Sequence, residues 1–420
     1  MRRPSQELKN LPVFIIAYAT LNLYGYSPTN YYLPVPKTYM MKQIFLFAAV
    51  ALVFINAYAQ TLSKTEQKIV ANIDADMAAT IQLLKASVDI NSGTFNIAGV
   101  KKTGELYAKE LQALGFTVIW VPMPDSIQRA GHLVAFRKGK KGKRLFLIGH
   151  LDTVFEPDMP PNPYTKLNDT TATGQGVVDM KGGDVMVIAA LKALYQQKLL
   201  DNTSITVYFT GDEEHAGSPR SVSRGDFIER SKQHDIALAF EGALGLDTVT
   251  TARRGASGWK LEVEAEQAHS AGIFKVGYGS IYEAARIVNS FRERLSTQLF
   301  LTFNPALFIG GSDVQYDDKA QKGYVASKTN IIAPKTVVIG DLRFLTEAQK
   351  ENARDTMRMI VAEHLAGTNA TISFTDGIPS MPPTTGNDSL VKVVSAVSTA
   401  LGYGEVAAGD PGQRGAGDIS

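Results

Sequence analysis

The stretch LFLIGHLD, residues 145–152, joins a short continuous apolar run to a histidine and an aspartate. An apolar run of this length predicts a strand that is buried on both faces, as in a parallel sheet covered by helices. Two similar runs occupy residues 205–210 and 236–240, and segments with helical apolar spacing lie between the runs. We therefore predict an α/β fold built on a mainly parallel sheet.

Each predicted strand is followed by side chains that can bind a metal. His150 and Asp152 follow the first, the acidic turn 211–214 follows the second, and Glu241 follows the third. Asp179 lies in a loop ahead of a predicted helix. Ligands of α/β sheets bind at the carboxyl ends of the strands, so these groups are expected to converge. The chain has no cysteine, and histidine with carboxylates then predicts a divalent metal site.

Each of these residues also has a simpler interpretation when it is taken singly. A lone histidine is more often structural, and Asp179 is placed to cap a helix. The acidic turn could be a solvated loop. Glu241 is harder to explain, because a carboxylate at the end of an apolar strand is rarely buried without a partner. Taken together, the residues favour a metal site.

The middle of the chain has a different pattern. Residues 259–265 alternate between apolar and polar side chains, which predicts a strand with one wet face. Helices are predicted at 281–295 and, after the capping sequence TEAQ, from 346 to 365; further strands are predicted at 299–309, 331–344 and 370–375. We expect an α+β (ferredoxin-like) domain at 248–375, inserted between two parts of a catalytic domain at 60–247 and 376–420.

The first 59 residues have the pattern of an extension and an export signal. Residues 41–59 combine a charged start, a short apolar stretch and small residues near Ala59, which predicts signal cleavage there. The apolar stretch is shorter than the roughly 20 residues of a spanning helix, so no stable membrane anchor is expected. We expect translation to start at residue 40 or 41 and the mature protein, periplasmic or secreted, to begin at Gln60.

The charge of the chain gives no reason to expect a nucleic-acid partner. The formal net charge is +2, with 20% charged residues. One basic cluster, RKGKKGKR at 137–144, contains two glycines and precedes an apolar strand. We interpret it as a solvated hairpin turn.

Four motifs in order give the chain a family resemblance. The segments GHLDTV (149–154), GVVDMKGG (176–183), GDEEHAGS (211–218) and FEGA (240–243) resemble the successive motifs of the co-catalytic zinc exopeptidases. That family includes carboxypeptidase G type glutamate carboxypeptidases, aminoacylases, and acetylornithine and succinyl-diaminopimelate deacylases. The resemblance runs from about residue 65 to the end. It implies a zinc-binding α/β domain with an inserted lid or dimerisation domain, two Zn²⁺ per subunit, and a homodimer.

The resemblance assigns a role to each residue of the predicted site. It implies that His150 and Glu241 bind one zinc, that Glu214 binds the other, and that Asp179 bridges the two. It also implies that Asp152 orients His150 and that Glu213 is the general base. Two adjacent glutamates cannot easily point at one atom, which agrees with separate roles in metal binding and proton transfer.

Three residues of the inserted domain match substrate-contacting positions of the family. His269, in AHSAG (268–272), is expected to reach the scissile carbonyl of the neighbouring subunit and stabilise the oxyanion. Asn330 and Arg343 match lid positions that contact the substrate, and Arg343 suits a terminal carboxylate. A surface ion pair of Arg343 with Asp341 or Glu347 is the alternative.

The expected activity is the hydrolysis of a C-terminal peptide or amide bond, in the manner of a glutamate carboxypeptidase. The substrate would be a small peptide or an N-acyl amino acid. An N-acyl amino acid deacylase or a dipeptidase is the alternative within the family. A metal-binding or dimerisation protein without activity is the alternative from another class, and the extra acid Glu213 argues against it.

The end of the sequence carries a further expectation. Residues 412–418 (GQRGAGD) resemble the glycine-rich substrate loop of the family, with Arg414 as a departure from its common form. In the family, a histidine beyond this loop completes the zinc site of Glu214, and the sequence stops at Ser420. We expect the second part of the catalytic domain to be truncated, with at most one zinc bound tightly and little activity.

Overall fold

The computed structural model describes residues 62–420. The predicted signal segment at 41–59 lies outside this range. The helices are α1 Lys64–Val88, α2 Ile97–Ala113, α3 Gly182–Gln196, α4 Arg220–Ser223, α5 Gly225–Ser231, α6 Gly279–Leu295, α7 Glu347–Ala362 and α8 Thr385–Ala400. The strands are β1 Thr117–Val121, β2 His132–Arg137, β3 Leu145–His150, β4 Thr165–Lys166, β5 Ala172–Thr173, β6 Ile205–Thr210, β7 Ile236–Ala239, β8 Thr248–Val249, β9 Gly255–Ala265, β10 Thr302–Gly311, β11 Asp313–Asp317, β12 Lys322–Ala326, β13 Lys335–Phe344, β14 Thr368–Asp376 and β15 Ala407–Ala408.

The central sheet has the strand order β1-β2-β6-β3-β7. Strands β6, β3 and β7 are parallel, as the apolar runs predict, and β1 and β2 add an antiparallel edge. Because β6 and β7 flank β3 in parallel, the residues that follow these three strands emerge at the same edge of the sheet.

Both faces of this sheet are covered. On one face, Tyr107 of α2 and Ile188 of α3 pack with Leu147 and Val207 of the sheet. On the other face, Phe146 and Tyr208 pack against Phe227 of α5. Burying an aromatic or aliphatic side chain of this kind contributes about 1.5–3 kcal/mol. The continuous apolar runs are explained by this double burial.

The basic segment 137–144 does not form the predicted hairpin turn. It leaves β2 and enters β3, yet β6 lies between these two strands and pairs with both. The segment therefore crosses the end of β6, and its side chains are mostly exposed. The prediction was wrong because the intervening strand is contributed by residues about 60 positions further along the chain.

A second sheet has the order β10-β13-β9-β14, and its neighbouring strands are all antiparallel. Along β9, buried residues alternate with less buried ones, as its period-two sequence predicts. Helices α6 and α7 cover one face, where Phe291 and Met357 pack with Trp259 and Leu261. The element order β9-α6-β10-β13-α7-β14 and the strand order are ferredoxin-like. The hairpin β11-β12 is an addition that the sequence pattern did not predict.

Two observations complete the fold. Thr346 caps α7, since its hydroxyl accepts a hydrogen bond from the backbone N–H of Gln349 at 3.0 Å.

Among the helices of residues 62–420, none is long and apolar enough to span a bilayer.

We expect Leu261→Ala to destabilise the protein by about 2–5 kcal/mol, because it opens a cavity on the central strand β9. Leu261 is fully buried. Urea unfolding measures the loss, and Val325→Ala on the exposed hairpin strand β12 serves as the control. Equal stability of the two variants would contradict the assigned core.

Candidate metal centre

His150 lies at the end of β3 with its ring almost fully buried. Its Nδ1 is 3.0 Å from the backbone carbonyl oxygen of Asp152, to which it donates a hydrogen bond. That bond directs Nε2 outward, where it lies 3.0 Å from Asp179 Oδ1 and 3.8 Å from Glu241 Oε1. A histidine fixed through one nitrogen presents the other as a ligand.

Two further carboxylates converge on the same point from separate elements. Asp179 comes from the turn Val177–Lys181 that precedes α3, and Glu214 from the turn after β6. One ligand atom each from His150, Asp179 and Glu214 lies within 4.8 Å of the others. Within residues 62–420, this three-residue cluster includes Glu214 and not Glu213. The geometry thus places Glu214, and not Glu213, beside the ligand atoms of His150 and Asp179.

The carboxylate of Asp152 is the anchor of the acidic turn. It is fully buried and accepts hydrogen bonds from the backbone N–H groups of Glu213 at 3.0 Å and Glu214 at 3.1 Å. The hydroxyl of Thr94 donates a third bond at 2.6 Å. Asp152 Oδ1 lies 3.6 Å from His150 Nδ1, so its carboxylate mainly holds the turn, and its backbone carbonyl holds the imidazole. Thr94 was not singled out from the sequence, since no spacing links residue 94 to residue 152.

Burial of several neighbouring carboxylates governs the electrostatics of the site. Burial raises the pKa of Glu213 to about 7, and the neighbouring Asp418 adds to the rise. Burial also raises the pKa of Glu214 to about 7, with a further contribution from Asp179. The pKa of Glu241 is raised by burial as well, against the opposing effect of His150. A bound cation would relieve this repulsion.

The donor set fits a divalent metal. One imidazole nitrogen and several carboxylate oxygens, without sulfur, suit zinc and related ions. His150, Asp179, Glu214 and Glu241 are the residues that would hold it.

The second sheet separates the three predicted substrate contacts into two groups. His269 and Asn330 are neighbours, since the backbone N–H of Ser270 donates to the carbonyl of Asn330 at 2.9 Å. Arg343 lies at the other end of β13, where it pairs with Ala256 at the start of β9. From Lys335 to Arg343 the strand runs about 25 Å at its usual rise per residue. Within one protomer, Arg343 and His269 therefore lie at opposite ends of the sheet.

Arg343 is also paired with an acid. Its Nε lies 2.9 Å from Asp341 Oδ2, and both side chains are partly exposed. An exposed pair of this kind contributes little to stability. The ion pair that the sequence offered as the alternative is therefore present, and it leaves the other nitrogens of the guanidinium available.

Three arginines contact the glycine-rich loop or belong to it: Arg414 lies in the loop, and Arg253 and Arg254 were not singled out from the sequence. Arg253 Nε donates to the carbonyl of Gly415 at 2.5 Å, and Arg254 donates to that of Gly412 at 3.1 Å. Arg414 donates to the carbonyl of Gly242, next to Glu241, at 2.7 Å. Across residues 62–420, none of these three arginines has a carboxylate oxygen within 4.0 Å. The sequence does show Arg253 and Arg254 side by side, directly before β9, and this pair could have indicated an anion-binding position.

The comparison with known proteins identifies the family. Residues 146–420 match the Peptidase family M20/M25/M40, which is well over half of the chain. The chain belongs to this family. It is therefore a metal-dependent hydrolase, and the predicted resemblance is confirmed.

Two enzymes show the range of its relatives. Carboxypeptidase G2 of Pseudomonas sp. (strain RS-16) is 28% identical over 215 residues, which are 51% of this chain and 51% of that enzyme. Succinyl-diaminopimelate desuccinylase of Polynucleobacter necessarius subsp. necessarius is 28% identical over 301 residues, 68% of this chain and 74% of that enzyme. The match to the carboxypeptidase thus spans about half of its length.

Solved structures agree on the fold. Aminopeptidase PepT from Bacillus cereus has a TM-score of 0.64 at 17% identity, over 81% of this chain and 85% of that one. YXEP from Bacillus subtilis, described as a dinuclear metal-binding peptidase of the M20 family, has a TM-score of 0.56 at 15% identity, with 82% and 85% covered. At this identity the likeness concerns the fold alone.

We expect Asp179→Asn to weaken Zn²⁺ binding by more than the roughly 10–100-fold typical of a change outside the ligand shell. Asp179 Oδ1 is the carboxylate oxygen nearest to His150 Nε2. Calorimetric titration of the metal-free protein measures the affinity, with Asp169→Asn, in an exposed pair with Lys166, as the control. Unchanged affinity in Asp179→Asn would exclude this residue as a ligand.

Proposed function

We propose that this protein is a zinc-dependent exopeptidase that releases an acidic amino acid, such as glutamate, from the C-terminus of a small peptide or N-acyl compound. The observation that carries the proposal is the convergence of His150, Asp179 and Glu214 beside a separate acid, Glu213. A protein that only binds metal has no need of that extra acid. The family membership supports hydrolysis, and the substrate is our inference.

The metal would be held by His150, Asp179, Glu214 and Glu241. When bound, it would polarise the scissile carbonyl and make a water molecule more acidic. Glu213 would take the proton from the attacking water and deliver it to the leaving amine. The Asp152 carboxylate holds the backbone of Glu213, so the base keeps a fixed position during both transfers.

The charge around the site supports a substrate that carries carboxylates. Arg253, Arg254 and Arg414 lie at the glycine-rich loop without an acidic partner in the described part of the chain, and Arg254 also donates to Thr302, which pairs with Arg343 across the sheet. Guanidinium groups bind carboxylates in a bidentate manner. This end of the second sheet would thus attract an acidic group next to Glu241.

A homodimer would explain the placement of His269 and Asn330. These residues lie at the far end of the second sheet from Arg343. If the second sheet acts as a lid and dimerisation domain, His269 and Asn330 would complete the site of the neighbouring subunit. One active site would then combine Arg343 of its own chain with His269 of the other.

A second candidate is a deacylase that removes a dicarboxylic acyl group from an amino acid. The match to a desuccinylase over 74% of that enzyme favours it. The same arginines would suit either substrate, because both carry a carboxylate near the scissile amide. Turnover of N-acyl-glutamates, dipeptides and N-succinyl amino acids with added Zn²⁺ distinguishes the two candidates.

We expect Glu213→Gln to lower kcat by at least about 10²–10⁴-fold, the contribution of general base catalysis, without loss of bound zinc. Steady-state kinetics and metal analysis on the same preparation measure both quantities. Glu229→Gln, at an exposed position of α5, is the control. Zinc lost in parallel with activity would mean that Glu213 and Glu214 have exchanged roles.

We expect Arg343→Met to raise the KM for an N-acyl-glutamate by roughly 10–100-fold, the loss of a charged hydrogen bond. The matching α-carboxamide, which lacks the terminal carboxylate, should show the same KM with both proteins. An equal effect on the two substrates would remove Arg343 from carboxylate recognition. Asp341→Asn, which breaks only the surface ion pair, should leave both KM values unchanged.

A further inference from the structure

Arg224 connects two parts of the site that are far apart in the sequence. It lies between α4 and α5 and is only 7% exposed. Its guanidinium donates to the carboxylate of Asp212 through one terminal nitrogen and to the Asp212 backbone carbonyl, at 3.2 Å, through the other. Its Nε donates to Asp418 Oδ1 at 2.9 Å. One side chain thus bridges the acidic turn and the end of the glycine-rich loop.

The Asp212 end of this bridge is rigid. Asp212 is fully buried and directly precedes Glu213. Its Oδ2 accepts hydrogen bonds from the hydroxyl of Ser223 at 2.5 Å and the backbone N–H of Gly217 at 2.8 Å. Arg224 donates to the other oxygen, so both oxygens of the Asp212 carboxylate accept hydrogen bonds. These bonds hold the Asp212 side chain in one orientation within the turn 211–214.

The Asp418 end holds the loop. Asp418 Oδ2 accepts a hydrogen bond from the hydroxyl of Thr210, the last residue of β6, at 2.7 Å. Arg253 and Arg254 hold the carbonyls of Gly415 and Gly412, so the loop is fixed along its length by arginines. Without Arg224, the carboxylates of Asp212 and Asp418 would lose the guanidinium that pairs with both of them.

We propose that Arg224 is a positioning residue that fixes the glycine-rich loop 412–418 against the acidic turn 211–214 by bridging Asp212 and Asp418. The inference rests on the proposed function in one respect, namely that the loop contacts the substrate and the turn carries the general base. Arg224 then sets the distance between the substrate and Glu213 without touching either.

The first test follows the loop itself and needs no substrate. Hydrogen–deuterium exchange of residues 411–420 in the 420-residue protein is compared between Arg224→Met and Arg230→Met. Arg230 forms a partly exposed pair with Asp226 within α5, away from the loop, and is the matched control. We expect exchange at least about 10-fold faster in Arg224→Met and unchanged in Arg230→Met. Unchanged protection in Arg224→Met would overturn the proposal.

Asp418→Asn provides a milder variant in case Arg224→Met does not fold. It weakens only the loop end of the bridge and leaves Asp212 paired with Arg224. The loop should again exchange faster, while residues 211–214 keep the protection of the parent protein. If the loop and residues 211–214 both lost protection, or if neither did, the result would contradict the proposal that Asp418 holds the loop while Asp212 holds the turn.

The second test separates positioning from general stability by kinetics. Asp418→Asn should raise KM with little change in kcat, because the acidic turn stays in place, whereas Arg224→Met should raise KM and lower kcat. The double variant should be no worse than Arg224→Met, because both changes break the same bridge. Independent, multiplying losses would overturn the proposal. Hydrogen exchange decides the role of Arg224 independently of turnover, so a failure of this proposal is distinguished from a failure of the proposed function.

Discussion

The metal centre depends on one buried carboxylate that ties two strands together. Asp152, two residues beyond the end of β3, accepts hydrogen bonds from the backbone of Glu213 and Glu214, which follow β6. A buried carboxylate is tolerated only when donors satisfy it, and here Thr94 supplies the remaining bond. The same residue fixes His150 through its backbone carbonyl. The imidazole of His150 and the backbone of Glu213 and Glu214, the proposed general base and metal ligand, are therefore held by a single residue.

Several carboxylates lie close to Asp152, and arginines lie near them. Burial raises the pKa of Glu213 and Glu214 to about 7, and neighbouring carboxylates add to the rise. Arg224 and Arg253 approach this volume from different elements. Arg224 binds Asp212 and Asp418, and Arg253 binds the carbonyl of Gly415. Such an arrangement favours a cation in the centre and an anionic group at the rim, as the proposed hydrolysis of acidic substrates would require.

The second sheet holds two proposed substrate-binding residues far apart. Its strands are about ten residues long, and they carry Arg343 at one end and lead to His269 at the other. If both residues contact the substrate, as we propose, they cannot serve one site within one protomer. This separation supports the proposed homodimer, in which a second copy would bring the far end of its sheet to the first metal centre.

The sequence alone determined the parallel strands β3, β6 and β7 and the polar residues that follow them. A strand that is buried on both faces has a continuous apolar sequence, which can be recognised without the structure. It also determined the alternation along β9 and the start of α7, which depend on local spacing and capping. Only the tertiary structure decided that β6 lies between β2 and β3, that Thr94 holds Asp152, and that Arg224 joins Asp212 to Asp418. These contacts link residues tens to hundreds of positions apart, as with the 194 positions between Arg224 and Asp418. A hydrogen bond across such a separation imposes no periodicity on the chain, so no pattern in the sequence records it.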